Sequence, residues 1–134
     1  MIGMGPFLSH GDVPLQEPDL PPEALEKRFH LALKMIAAAR LLLRDVNIAS
    51  TTALQALYPA SGREMGLLYG ANVIMPNVGD VAHRADYTLY NDKPGLDENA
   101  EAVRQALENS LASIGESIAF DIKGTPLHFI RKSK

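Results

Sequence analysis

Apolar residues fall in short blocks separated by turn-forming residues, and the period within each block changes along the chain. Met1 to Phe7 (MIGMGPF) is apolar and spaced by glycines, the pattern of a buried strand whose backbone comes close to a neighbour. Leu8 to Pro22 carries Gly11, Pro14, Pro18, Pro21 and Pro22, too many restricted backbone positions for regular structure, and predicts a long ordered loop. From Glu23 to Arg44 the residues Leu25, Phe29, Leu33, Ile36 and Leu43 recur at helical spacing, with Glu26, Lys27, Lys34 and Arg44 among the polar positions. That stretch predicts a helix. Val46 to Ala49 predicts a second short strand, followed by three hydroxyls in a row at Ser50, Thr51 and Thr52. Ser61 and Glu64 have the spacing of a capping box, so a second helix is expected from near Gly62 to about Tyr69, closed by Gly70. Ala71 to Met75 (ANVIM) predicts a third buried strand, ended by Pro76 and Asn77.

Beyond this point the pattern is more polar. Val78 to Gly95 is expected to be a loop or short helix carrying Tyr87 and Tyr90. Asp97 is then a candidate N-cap, with Glu98 and Glu101 in the positive first turn. Val103, Ala106, Leu107, Leu111 and Ile114 form an apolar stripe up to Gly115, which predicts a third helix. Ile118 to Ile122, Lys123-Gly124 and Leu127 to Ile130 resemble a small hairpin, with Pro126 confining its last strand to an edge, and the tail from Arg131 to Lys134 is basic.

Strand and helix therefore alternate, and the strands look buried on both faces. This is the signature of an α/β fold built from about three parallel βα units. A single domain over residues 1–134 is expected, with a βαβαβ core in 1–77 and a loop, a helix and a terminal hairpin in 78–134. Three units cannot close a barrel, so both outer strands would present open edges that something must cover. No internal repeat or low-complexity segment is visible.

Composition narrows the chemistry. Thirteen basic against sixteen acidic side chains in 134 residues give a formal charge of -3, so no overall positive field gathers nucleic acid or acidic membranes. There is no cysteine, which removes disulfides, thiolate zinc sites, a cysteine nucleophile and cysteine-ligated iron–sulfur clusters from the chemistry this sequence can supply alone. Lys34, Arg40 and Arg44 interrupt the longest apolar stretches, and the Gly- and Pro-rich start lacks a charged leader region. A cytoplasmic protein without a membrane partner is expected.

Ligands of parallel α/β architectures lie at the carboxyl ends of strands. Three segments qualify: Gly5-Pro6-Phe7 with the loop through His10 and Asp12, then Ser50-Thr51-Thr52, then Met75-Pro76-Asn77 with Tyr87 and Tyr90 beyond. Hydroxyls, an amide and a thioether can orient a polar molecule, but none is a strong acid, base or nucleophile unaided, so no catalytic residue is assigned. Each position also has an ordinary explanation. His10 and Asp12 are too few to define a metal site. Thr51 and Thr52 would serve as turn residues bonded to local backbone, Met75 as core filling, and Arg63 and Glu64 as an exposed charge and a cap. His30, His83 and His128 are scattered without a triad partner, and Gly3 and Gly5 form only part of a dinucleotide fingerprint.

Taken together, MIGMGPFLSHGDVPL, NIASTTALQAL, SGREMGLLYGANVIMPN and GTPLHFIRK occur in one order across nearly the whole chain. In these motifs the sequence resembles the carboxyl-terminal part of the HydE-type (FeFe)-hydrogenase maturases. These are radical S-adenosylmethionine enzymes related to biotin synthase and methylornithine synthase. The resemblance implies a partial TIM-type barrel, corresponding roughly to the sixth, seventh and eighth strands of a complete one with a carboxyl-terminal extension. It implies S-adenosylmethionine as cofactor. It also implies a four-iron four-sulfur cluster held by a C-x-x-x-C-x-x-C loop that this sequence lacks, so the cluster would come from an amino-terminal portion in the same polypeptide or in a partner.

By the same resemblance Thr51 and Thr52 match paired threonines that face the barrel interior and hold a carboxylate or other anion. Met75 and Pro76 match the strand end near S-adenosylmethionine. Tyr87 and Tyr90 match tyrosines bordering the cofactor and substrate region, although YTLYNDKPG is spaced more widely than in relatives. An accessory cysteine pair of some members corresponds to Val103 and Ala106. The expected function is to line the cofactor and small-molecule substrate cavity of such an enzyme, inactive alone. The alternatives are an oligomeric assembly protein that pairs its open strand edges with copies of itself, or a small binding module for an anionic ligand.

Overall fold

The computed structural model describes residues 1–9, 20–76 and 100–132. Three short strands, β1 (Ile2–Gly3), β2 (Ile48–Ser50) and β3 (Val73–Ile74), form one parallel sheet in the order β1-β2-β3. Ile2 aligns with Ile48 and Gly3 with Ala49. Across the next ladder Ala49 aligns with Val73 and Ser50 with Ile74. All of β2 is buried, as a central parallel strand covered on both faces must be. The described helices are α1 (Pro22–Leu42), α2 (Thr52–Leu57), α3 (Gly62–Leu68), α4 (Ala100–Ser113) and α5 (Leu127–Lys132). The α/β class and the parallel order are as the sequence predicts. The expected Leu8–Pro22 loop lies mostly outside the described residues, as do Tyr87, Tyr90 and Asp97.

The core is the inner face of α1 laid on the sheet. Phe29, Ala32, Leu33 and Ile36 are buried with Ile48, Leu54 and Ala71, and Ile2, Met4, Val46, Leu57, Met65 and Leu67 pack around them. The ring of Phe29 stacks on Tyr58 at 4.3 Å between centroids, which ties α1 to the end of α2. Leu43, expected on the inner stripe, is instead exposed past the end of the helix.

Arg40 gathers the opposite ends of these elements. Its Nε donates to the Gly70 carbonyl at 2.8 Å, Nη1 to the Arg44 and Val46 carbonyls at 2.8 Å, and Nη2 to Asn72 Oδ1 at 2.8 Å. Asn72 Oδ1 also accepts from the Ile48 amide at 2.9 Å, and Asn72 Nδ2 donates to Asn47 Oδ1 at 3.1 Å. Asn47 and Asn72 immediately precede β2 and β3, so this cluster fixes the amino-terminal end of the sheet and leaves the carboxyl end to other groups.

Gly70 closes α3 as expected. It sits at φ 112, and the Gly70 and Ala71 amides return to the carbonyls of Leu67 and Gly66, the paired bonds of a Schellman stop. The capping box does not form. Ser61 occupies the N-cap but makes no side-chain cap bond, and Glu64 instead accepts a hydrogen bond from the Ser110 hydroxyl. A longer-range partner on α4 has displaced a local one. On α4, Val103, Leu107 and Leu111 are buried while Ala106 faces out. Arg104 on its exposed side pairs with Glu101 and Glu108, and its hydrogen bond and charge hold the Glu101 carboxyl below its usual range.

The terminal hairpin is a correction. Leu127–Lys132 is a helix, and among the described residues Ile118 to Ile122 form no strand. An isolated two-stranded hairpin has no third strand or apolar face to stabilise it. Pro126 instead opens a helix by accepting the Phe129 and Ile130 amides, and Arg131 and Lys132 suit the last turn. The helix is anchored at Asp45, whose carbonyl accepts the His128 amide at 3.1 Å and whose carboxylate pairs with Arg131.

Candidate functional site

The carboxyl end of the sheet is assembled by register. Because Ser50 aligns with Ile74, Thr51 and Met75 leave their strands at the same level, and Gly3 beside Ala49 brings Gly5 to that level from β1. Gly5 lies so close to Thr51 that a Cβ added there would sit 2.5 Å from Thr51 Oγ1 and 3.5 Å from the Ala53 Cβ. A side chain at this position would force the Thr51 hydroxyl to move.

The three consecutive hydroxyls have different surroundings. Ser50 is buried, and its Oγ donates to the Arg63 carbonyl at 2.8 Å, so it joins β2 to α3 rather than facing a ligand. Thr51 holds the N-cap position of α2 with extended backbone (φ -83, ψ 152) but makes no capping hydrogen bond. Its Oγ1 is buried and has no hydrogen-bond partner among the described residues. The ordinary explanation, a threonine bonded to local backbone, is therefore not realised at Thr51. Thr52 is the half-buried first residue of α2.

Met75 is 52% exposed directly after β3, so it does not fill the core, and Pro76 beside it is half-buried. The structure thus places Thr51, Thr52, Met75 and Pro76 at one end of the sheet, while Tyr87 and Tyr90 lie outside the described residues. A second buried polar atom on α2 was not foreseen. Gln55 lies one turn beyond Thr51 on α2, and its Oε1 is likewise buried with no partner among the described residues. The sequence signal was the run TTALQAL, whose Thr–Ala–Leu composition after a strand favours a short helix opened by a threonine.

Two other features lie apart from this end. A cleft of about 330 Å3 between α3, β3 and α4 is lined by Leu67, Ala71, Ile74, Leu107, Leu111 and Ile118, and contains none of the predicted site residues. Among the described residues no group of three or more His, Asp or Glu side chains could hold a metal ion, and no helix is long and apolar enough to cross a membrane.

No family model matches the chain. Over 95 residues it is 47% identical to the (FeFe) hydrogenase maturase subunit HydE of Thermotoga maritima. The chain is HydE-like. The matched stretch takes in 69% of this chain and 25% of that relative, so the HydE-like chain spans about a quarter of the relative's length. The resemblance to the carboxyl-terminal part of a HydE-type radical S-adenosylmethionine protein, read from the four motifs, is thereby supported. Val103 and Ala106, the positions that the resemblance sets against an accessory cysteine pair, are buried and exposed respectively on α4.

Proposed function

We propose that the chain forms part of the wall around the S-adenosylmethionine and substrate cavity of a HydE-type radical enzyme. The observation that carries this reading is the Thr51 hydroxyl, buried at the carboxyl end of the sheet with no hydrogen-bond partner among the described residues. A hydroxyl can donate one hydrogen bond, and leaving it buried and unmade costs about 1–3 kcal/mol. A ligand carboxylate or other anion arriving at that end accepts the bond and offsets the cost.

Thr51 and Thr52 then orient the anionic group. Met75 offers a polarizable thioether and Pro76 a rigid edge beside the cofactor, and the resemblance assigns Tyr87 and Tyr90 to the same region. Three parallel strands in sequential order are an arrangement that an eight-stranded barrel continues, which supports the partial-barrel reading.

In such enzymes the iron–sulfur cluster supplies the electron that cleaves S-adenosylmethionine to a 5′-deoxyadenosyl radical. The residues of this chain do not fit that cluster, since none is a cysteine, and no step of the cluster's chemistry falls to them. An amino-terminal portion, in the same polypeptide or as a partner, supplies it. Joined to a cysteine-bearing amino-terminal portion, the chain is expected to restore S-adenosylmethionine cleavage, measured as released 5′-deoxyadenosine, whereas the chain alone releases none. Cleavage by the pure chain, or none by a folded, cluster-loaded joined protein, overturns the reading.

A further inference from the structure

The cleft of about 330 Å3 between α3, β3 and α4 has walls that other groups hold apart. Leu67 on α3 with Ala71 and Ile74 forms one side, and Leu107 and Leu111, one turn apart on α4, form the other. Two sets of hydrogen bonds fix α4 where it stands. The Ser110 hydroxyl donates to Glu64 and ties the helix to α3. At its end Gly115 adopts φ 77, the Gly115 amide donates to the Ala112 carbonyl at 3.1 Å and the Glu116 amide to the Leu111 carbonyl at 2.9 Å, the paired bonds of a Schellman stop. That turn brings Glu116, Ser117, Ile118 and Ala119 to the cleft, so this part of the wall is placed by backbone geometry rather than by apolar packing.

Protein interiors keep few voids larger than a water molecule. Water in such a space needs several polar partners, which a wall of aliphatic side chains does not offer, so the cleft suits an apolar molecule. Size and charge narrow the choice. An apolar cavity of roughly 150 Å3 takes benzene, so one of about 330 Å3 has room for roughly a dozen non-hydrogen atoms. Glu116 is the sole charged side chain among the described residues that line the cleft, and no ion pair among the described residues engages its carboxylate. A negative charge beside an apolar space favours a cationic head group and repels a carboxylate. The Ser117 hydroxyl beside it can accept a further hydrogen bond.

We infer that this cleft is a binding site for an apolar amine of roughly a dozen non-hydrogen atoms, with its hydrocarbon part between α3 and α4 and its ammonium group at Glu116. None of the residues assigned to the cofactor wall lines the cleft, so the inference stands apart from the functional reading above.

The test is a nuclear magnetic resonance titration of the full chain, isotope-labelled at its Leu and Ile methyl groups, with phenylbutylamine, phenylbutanol and phenylbutyrate. These share one hydrocarbon skeleton and differ in the charge of the head group. Saturable binding of the amine is expected with a Kd of about 1 mM or tighter, the shifts concentrated at the methyl groups of Ile74, Leu107, Leu111 and Ile118. The alcohol should bind about threefold more weakly and the carboxylate more weakly still. Glu116→Gln should bring the amine and the alcohol to equal affinity. Ala119 is exposed at the rim, and Ala119→Trp, which sets an indole into the cleft from there, should weaken the amine at least about tenfold. No saturable binding of the amine overturns the proposal, as do shifts spread over exposed leucines such as Leu31 and Leu42. An amine preference that survives Glu116→Gln, or an affinity untouched by Ala119→Trp, overturns it equally.

Discussion

Gly62→Ala is expected to lower the stability of the chain by about 3 kcal/mol or more, a large part of what a small domain possesses. Gly62 begins α3 against the end of α2, where its amide donates to the Tyr58 carbonyl at 2.7 Å. A Cβ there would overlap the Leu54 carbonyl oxygen and lie 2.6 Å from the Leu54 carbonyl carbon and 3.0 Å from the Gln55 Cα. Every one of these atoms is backbone, so no side chain can rotate out of the way and α2 and α3 must separate. Gly3→Ala is the control, since nothing lies within 4 Å of its added methyl group and its stability change should stay within about 0.5 kcal/mol. Urea unfolding followed by circular dichroism checks both, and an unchanged midpoint for Gly62→Ala would contradict the close packing of α2 on α3.

Arg40→Leu is expected to cost about 3 kcal/mol by leaving several acceptors without their charged donor. The guanidinium serves Gly70, Arg44, Val46 and Asn72 at once, and so links the end of α1, the approach to β2 and the turn into β3. Arg40→Lys should recover little of the loss, because a compact ammonium cannot span acceptors that a planar fork reaches together. Thermal unfolding of the two variants measures this. A lysine variant as stable as the parent would show that charge alone, rather than the fork, holds this end of the sheet.

These two positions also show what a sequence can and cannot disclose. The long helix, the three strands and their parallel order were legible because hydrophobic period and turn residues act locally: the spacing from Phe29 to Ile36 and the glycine at Gly70 carry their own explanation. Arg40 was visible only as an interruption in an apolar stretch, because its partners lie as far as 32 residues away. The Ser61–Glu64 pair failed for the same reason. Ser110, 46 residues from Glu64, took the carboxylate that the local motif would have used. The last segment was misread because alternating apolar residues around Lys123-Gly124 suit a hairpin, whereas Pro126 and the anchor at Asp45 favour a helix.

The site was legible in part. Position at strand ends and resemblance to relatives both directed attention to Thr51, Thr52, Met75 and Pro76, and register brings Thr51 and Met75 to one level. What distinguishes Thr51 from Ser50 could not be read from three adjacent hydroxyls. Ser50 Oγ donates to the Arg63 carbonyl on α3, whereas the Thr51 hydroxyl makes no hydrogen bond among the described residues. Gln55 escaped notice because the six-residue helix that carries it is too short to produce a periodic signal.

The claim that the Thr51 hydroxyl waits for a ligand is tested most directly by calorimetric titration of S-adenosylmethionine into the chain joined to its amino-terminal portion, comparing the parent with Thr51→Val and Thr51→Ser. Valine keeps the shape and removes the donor, and should weaken binding roughly tenfold, the equivalent of one lost hydrogen bond, while serine keeps the affinity close to the parent's. Equal affinity for the parent and the valine variant would contradict the account.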